Sequence, residues 1–410
     1  MQIPARPGVH LTYCSNIHPA EDWPQTRDSV LEHFAAVRRR VAADQPFGVG
    51  LRLSAVALAQ LHAVPGELDR FVAQLDAAGL YVFTINGFPY GPFHGAPVKQ
   101  QVYRPDWRTP ERLQYTESLA HTLARMLPPD VAGSISTVPG GFRPDSEAAP
   151  VRAAIADNLL RCAASLWRIA ATGGQRIALA LEPEPHCMLE ITDEAITWFE
   201  SALLSQAAIT QMAAITRLAR GPAEAAIREH LGLCIDTCHA AVEFEDPTAG
   251  IVHLRAAGIR LAKLQVTAGL ELDPVTPEAI DALAAFADPV YLHQVVAELD
   301  DPPRSLVRFV DLPEALAAHH RGELRARRLR VHFHVPVFQR ELPPFRGTQA
   351  FLPPALAAAL DVGGCTHLEL ETYTWDVLPP HFRAQPVDDA IARELRWVLA
   401  ALADPKESSP

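Results

Sequence analysis

Short, apolar, β-prone segments alternate with amphipathic helices along almost the whole chain. This alternation constrains the fold most, because it predicts βα units and a parallel sheet. Candidate strands are residues 10–17, 47–54, 80–87, 131–138, 177–183, 231–237, 260–267, 330–337 and 367–373. Helical spacing fits 26–43, 66–78, 151–172, 192–204, 208–229, 276–287, 312–325, 352–361 and 387–403. Thr109-Pro110-Glu111 reads as a further helix start, with a threonine cap, proline at the first position and an acid in the first turn. Eight βα units close a (β/α)8 barrel of roughly 250 residues. Nine strands are one too many, so either one is accessory or the barrel carries an irregular unit. An open doubly wound sheet would lead from its first strand into a glycine-rich phosphate loop. Here the first strand runs into Asn16-Ile17-His18-Pro19. The expectation is one α/β domain, a (β/α)8 TIM barrel over 1–403. It would carry an inserted β-hairpin at about 291–312, extra helices at about 185–230 and a disordered tail at 404–410.

The strand ends carry the chemistry. LALEPEPH holds Glu182 and Glu184, LCIDTCH holds Asp236 and His239, VHFHVP holds His332 and His334, and LELETYTW holds Glu369 and Glu371. Residues two apart on a strand face one side. In a barrel that places Glu182, Glu184, Asp236, Lys263, Gln265, Thr267, His332, His334, Glu369, Glu371 and Tyr373 inward. Leu179, Leu181, Leu264, Val331, Phe333, Leu368 and Leu370 then face the helices. Asn16, His18 and Asn86 join them from the first and third strands. Burying so many charged groups is costly unless a metal or a polar ligand compensates them.

Carboxylates and imidazoles together suit Zn2+, Mn2+, Fe2+ or Co2+. The Asp-x-x-His spacing lets Asp236 bind while His239 supports it or acts as a base. Lys263 is the only lysine in any predicted strand. It either neutralises a substrate oxyanion or forms an ion pair with Glu182 or Asp236. NGFPYGPFHG (86–95) offers Phe88, Tyr90 and Phe93 either to cap a ligand or for rim packing. Gly140-Gly141 with Arg143 forms either a rim loop or a tight turn. No GxGxxG, GxSxG, HExxH or Walker loop occurs, so nucleotide and serine-hydrolase chemistry lack local support. The net charge of −12 argues against a nucleic-acid surface. No apolar run reaches the roughly 20 residues of a membrane span, and the N-terminus lacks a secretory signal. A cytoplasmic protein is expected. The six cysteines show no CxxC and read as buried free thiols.

LALEPEPH, LCIDTCHA, AKLQV and LELETYTW, in that order, resemble the metal-binding strand ends of the xylose-isomerase-like TIM barrels. HLTYCSNIHPAEDW, GLRLS, YVFTINGFPYG, VHFHVPVF and HLELETYTWDVLP resemble more closely the EboE family of metabolite traffic proteins, over about residues 9–403. The superfamily resemblance implies a metal set of Glu182, Asp236, His239 and Glu371 or Glu369. Where that family often has histidine, this chain has Gln265, a poorer ligand, so His332 or His334 fills the vacancy.

The expected function is a divalent-metal-dependent (Zn2+, Mn2+, Fe2+, Co2+ or Mg2+) isomerase or epimerase. Its substrate would be a sugar, sugar phosphate or cyclitol in a small-metabolite pathway, and the chain would associate functionally with other proteins of that pathway. Glu182 and Glu371 would serve as ligands and bases and Lys263 as the electrostatic stabiliser. Asn16, His18, Asn86, Glu184, Gln265 and Tyr373 would bind substrate. The alternatives are a non-catalytic carrier on the same fold and a phosphodiester hydrolase like endonuclease IV, which the net charge disfavours.

Overall fold

The computed structural model describes residues 1–95, 97–300, 305–379, 383 and 385–403. The expected tail at 404–410 lies outside the described residues. In chain order the first seven strands are β1 (His10–Tyr13), β2 (Phe47–Arg52), β3 (Leu80–Asn86), β4 (Gly133–Thr137), β5 (Ile177–Leu181), β6 (Leu231–Asp236) and β7 (Arg260–Val266). There follow β8 (Ala268–Leu272), β9 (Val295–Leu299), β10 (Leu306–Phe309), β11 (Ala326–Val335), β12 (Glu341–Leu342), β13 (Phe345–Gly347) and finally β14 (His367–Leu370).

Strands β1 to β7 and β14 form one parallel sheet in the order β1-β14-β7-β6-β5-β4-β3-β2. A parallel bridge between Cys14 and Gly50 joins its two ends. The result is the expected eight-stranded barrel with helices around it. Its strands alternate as predicted. On β6, Leu233 and Ile235 belong to the main apolar core. Cys234, on the other face, clusters with Ala178, Ala180 and Ala262. The helix Pro110–Met126 starts at the expected residue, although the Thr109 side chain makes no cap hydrogen bond. The extra helices are Thr192–Trp198, Gln206–Thr216 and Arg220–His230. All six cysteines are free and buried. Among the described residues no helix is long and apolar enough to cross a membrane.

The ninth strand is accessory, and the insertion is larger than a hairpin. β8 to β13 form a second, antiparallel sheet in the order β10-β9-β11-β8-β13-β12. The expected hairpin at 291–312 is its β9–β10 pair. Only Thr267 separates β7 from β8. A parallel neighbour needs a crossover of a dozen residues or more, so the chain leaves the barrel at that point. The predicted strand 330–337 is the end of β11, and it lies outside the barrel. Arg308 on β10 ties this sheet to the barrel's rim through Glu243, at 2.6 Å.

Candidate metal centre

The Asp-x-x-His spacing has a local cause. Asp236 ends β6 and caps the helix Thr237–Val242. Its Oδ1 accepts from the backbone N–H groups of Cys238 (2.7 Å) and His239 (3.0 Å) and from the Thr267 hydroxyl (2.5 Å). One oxygen is thereby used in capping. The other, Oδ2, is buried without a hydrogen-bond partner.

Among the other polar atoms in that condition, two are potential metal ligands next to it. Glu182 Oε2 and His334 Nε2 are both buried and unpartnered. His334 Nδ1 donates to the Glu371 carbonyl, which leaves Nε2 as a bare acceptor 3.9 Å from Asp236 Oδ2. Ligand atoms of Glu182, Asp236 and Glu371 lie within 4.8 Å of one another, as do those of Asp236, His239 and His334. Glu371 is held by one oxygen, which accepts from Asn16 Nδ2 and Asn86 Nδ2 at 2.6 Å each. Buried acceptors aimed at each other with no donor between them are costly. A divalent cation supplies the missing positive charge, and oxygen and imidazole donors are its usual ligands. The residues therefore fit a metal.

The proton affinities reflect the same crowding. Burial, then the Glu371 and Asp236 charges, hold the Glu182 carboxyl well above the usual range. Burial pushes Glu371 up to about 8, with Asp236 and Glu369 adding to it. Burial lowers His334 to about 4. It also takes His332 well below its ordinary value, helped by His239 and His334. Carboxylates that resist ionising beside imidazoles that resist protonation make a site short of positive charge.

Of the residues singled out from the sequence, Asn16, Asn86, Glu182, Glu184, His239, His332, His334, Glu371 and Tyr373 line one cavity at the barrel mouth. Asp236 does not line it but lies next to its donor groups Glu182, Glu371, His239 and His334. His332 and His334 reach it from the inserted sheet, so the site sits between barrel and insertion. Other residues singled out from the sequence lie elsewhere. Lys263 and Glu369 pair with each other at 2.5 Å, and neither is exposed. Burial opposes the Lys263 charge, but Glu369 together with Cys234 and Cys14 outweighs it and raises the ammonium's pKa. Lys263 thus has neither Glu182 nor Asp236 as its partner. Gln265 accepts from Cys234 Sγ at 3.5 Å and does not line the cavity. His18 stacks on His33, ring centroids 3.9 Å apart. The 3-10 turn Ser15–Ile17 after β1 ends the strand alternation that would have aimed it inward. Arg143 binds Glu194 at 2.7 Å and the Cys187 carbonyl, away from the cavity. Phe88 and Phe93 line the cavity, whereas Tyr90 packs on Tyr115.

Sequence reasoning missed Gln294 and Tyr103. Gln294 Nε2 donates to Glu184 Oε1 (3.1 Å) and to the Pro185 carbonyl (3.1 Å). Its Oε1 accepts from His332 Nδ1 at 2.7 Å. The Tyr103 hydroxyl donates to Glu184 Oε1 at 2.7 Å. Neither has a spacing signal, because both act across long stretches of chain.

No family model matches the chain, and no curated protein matches it. Among solved structures it is similar to an L-ribulose 3-epimerase, at 10% identity and TM-score 0.47, over 97% of this chain and 96% of that one. It is similar to an IolI protein with a bound zinc atom, at 11% identity and TM-score 0.46, over 96% and 98%. A third is a xylose isomerase-like TIM barrel protein from Mycobacterium smegmatis in complex with magnesium, at 12% identity and TM-score 0.44, over 97% of each chain.

Proposed function

We propose that the chain is a divalent-metal-dependent isomerase or epimerase for a small polyhydroxylated metabolite: a sugar, sugar phosphate or cyclitol. Its place in a metabolite biosynthesis or traffic pathway follows from the EboE resemblance of its motifs. The observation that carries the reading is the convergence of Glu182 Oε2, Asp236 Oδ2 and His334 Nε2, three buried acceptors without partners. Glu182, Asp236, Glu371 and His334 would hold the ion, with His239 beside them. A bound divalent cation supplies Lewis acidity toward substrate oxygens and favours proton loss at the adjacent carbon.

The chain's own groups do the rest. Glu182 and Glu371 line the same cavity from two separate strands, each the first residue after its strand's end, β5 and β14 respectively. Burial has raised the proton affinity of both, the direction that suits a carboxyl group moving a proton near neutral pH. Asn16 and Asn86 fix one Glu371 oxygen, so the other holds or releases the proton at a set position. Phe93, Tyr291 and Tyr373 pack together along the cavity, with ring centroids 5.1 to 5.4 Å apart, and give it an aromatic wall.

The test has two parts. Elemental analysis after reconstitution should find bound transition metal, lost in Glu182→Gln and Asp236→Asn. Less than about a tenth of an equivalent in the native chain overturns the reading. Metal-loaded protein in deuterated water should then wash deuterium into a carbon-bound position of one member of a sugar and cyclitol panel. Tight binding of a panel member without any exchange would instead identify a carrier.

A further inference from the structure

Beside the carboxylate-rich set lies a second one. His239 Nδ1 is 3.0 Å from the Pro183 carbonyl, which can only accept, so Nδ1 carries the proton. His332 Nδ1 is 2.7 Å from Gln294 Oε1. The Gln294 amide cannot be reversed, because its Nε2 already donates to Glu184 Oε1 and the Pro185 carbonyl. Both imidazoles therefore present a bare Nε2, and these two atoms face each other 3.0 Å apart. Two lone pairs at that distance repel unless something positive lies between or beside them. The Tyr373 hydroxyl, 3.5 Å from His332 Nε2, is too distant to satisfy it.

The distance fits a metal's bite. Imidazole nitrogens bind Zn2+ at about 2.0–2.1 Å, so two of them roughly 90–110° apart sit about 2.9–3.4 Å from each other. Glu184 completes a mutually adjacent trio with His239 and His332. Among the described residues the Glu182–Asp236–Glu371 set meets the imidazole sets only through the Asp236–His239–His334 trio, and no set holds both Glu371 and His332. Glu371 groups with Glu182 and Asp236, and His332 groups with Glu184 and His239 or with Cys238 and His334. Seven side chains are also more than one four- to six-coordinate transition ion takes.

We propose that the cavity holds two adjacent divalent cations. The second would be bound by His239, His332 and Glu184, with His332 supplied by the inserted sheet and fixed by Gln294. This proposal rests on the metal-dependent reading above and adds to it a second site with its own ligands. The inserted sheet then completes a metal centre as well as covering the barrel.

Metal stoichiometry tests it without reference to turnover. The full chain is reconstituted with Zn2+ alone, freed of excess, and its bound metal measured beside the circular dichroism spectrum. Two equivalents are expected, falling to one in His332→Ala with the spectrum retained; His332→Gln serves if the alanine chain does not fold. One equivalent in the native chain overturns the proposal, whether or not His332→Ala removes it, and identifies a proton as what bridges the two imidazoles. That result leaves the metal-dependent reading intact, provided Glu182→Gln still loses the ion. No bound zinc in the native chain overturns both.

Discussion

Lys263 Nζ lies 2.5 Å from Glu369 Oε2 inside the barrel, and neither side chain is exposed to solvent. The pair joins β7 to β14, which are neighbours in the sheet. Removing one partner strands the other charge in the interior, at a cost of about 3–5 kcal/mol, whereas replacing both with apolar groups is often tolerated. Lys263→Met should therefore destabilise the chain by about that amount in denaturant melts. Lys263→Met combined with Glu369→Leu should recover much of the loss. A single variant as stable as the parent would show that the pair is structurally dispensable.

Gly50 faces the same pair. A Cβ at this position would fall 2.0 Å from Glu369 Oε1 and 2.5 Å from the Tyr13 carbonyl. Backbone cannot yield cheaply there, because β1 and β2 meet at the Cys14–Gly50 bridge that closes the barrel. Gly50→Ala should lose at least the roughly 1–3 kcal/mol typical of overpacking, read as a lowered melting temperature. An unchanged transition would mean that the closing strands are looser than this packing requires.

Glu394 gives a pH signature away from the metal centre. It is buried on the last helix, accepting from Val337 N (3.0 Å) and the Thr372 hydroxyl (2.9 Å), and burial pushes its carboxyl up to about 7. The folded chain keeps this proton up to about pH 7, while the unfolded chain releases it near 4.3. Stability should therefore fall as pH rises between those values, by up to about 3 kcal/mol from this group, and level off above pH 7. Below pH 4 the penalty is absent. Glu394→Gln keeps the shape without the charge and should flatten the fall, measured as unfolding free energy against pH. A parallel profile for parent and variant would place the pH dependence elsewhere.

Gln294 touches His332 and Glu184 at once. Gln294→Leu would free His332 to turn or change tautomer and would remove a donor from Glu184. Partners that orient metal-binding side chains typically contribute 10–100-fold in affinity. A chelator competition titration should show a loss of that size in the variant. Equal affinities would make Gln294 a packing residue.

Adding metal should stabilise the whole chain. An ion present at 100 times its dissociation constant raises unfolding free energy by about 2.7 kcal/mol through mass action. Dialysis against a chelator should lower the melting temperature by a few degrees, and zinc should restore it. Asp236→Asn should show no such response.

The barrel was legible because its signal is local. Period-two alternation in LALEPEPH, LCIDTCH and LELETYTW placed apolar side chains toward the helices and carboxylates toward the lumen, and the strand order bears out that fold class. The same period misled at VHFHVP. A strand in an antiparallel insertion alternates like a barrel strand, so nothing local distinguishes β11 from a barrel member. His18 was misplaced for the complementary reason: a 3-10 turn begins at Ser15, where the reading assumed that the strand continued.

Composition and pattern by themselves determined that this chain builds an α/β barrel and that charged groups collect at one end of it. Those properties depend on contacts along each strand and on the cost of burying charge, both of which residue order specifies. Tertiary structure alone decided which of those groups meet. It sent Lys263 to Glu369, laid the sheet bearing His332 and His334 across the barrel mouth, and set Gln294 behind His332. Each of these pairings spans from 38 to 106 residues of chain. Such separations leave no trace in periodicity, because only chain folding brings the partners within hydrogen-bonding distance.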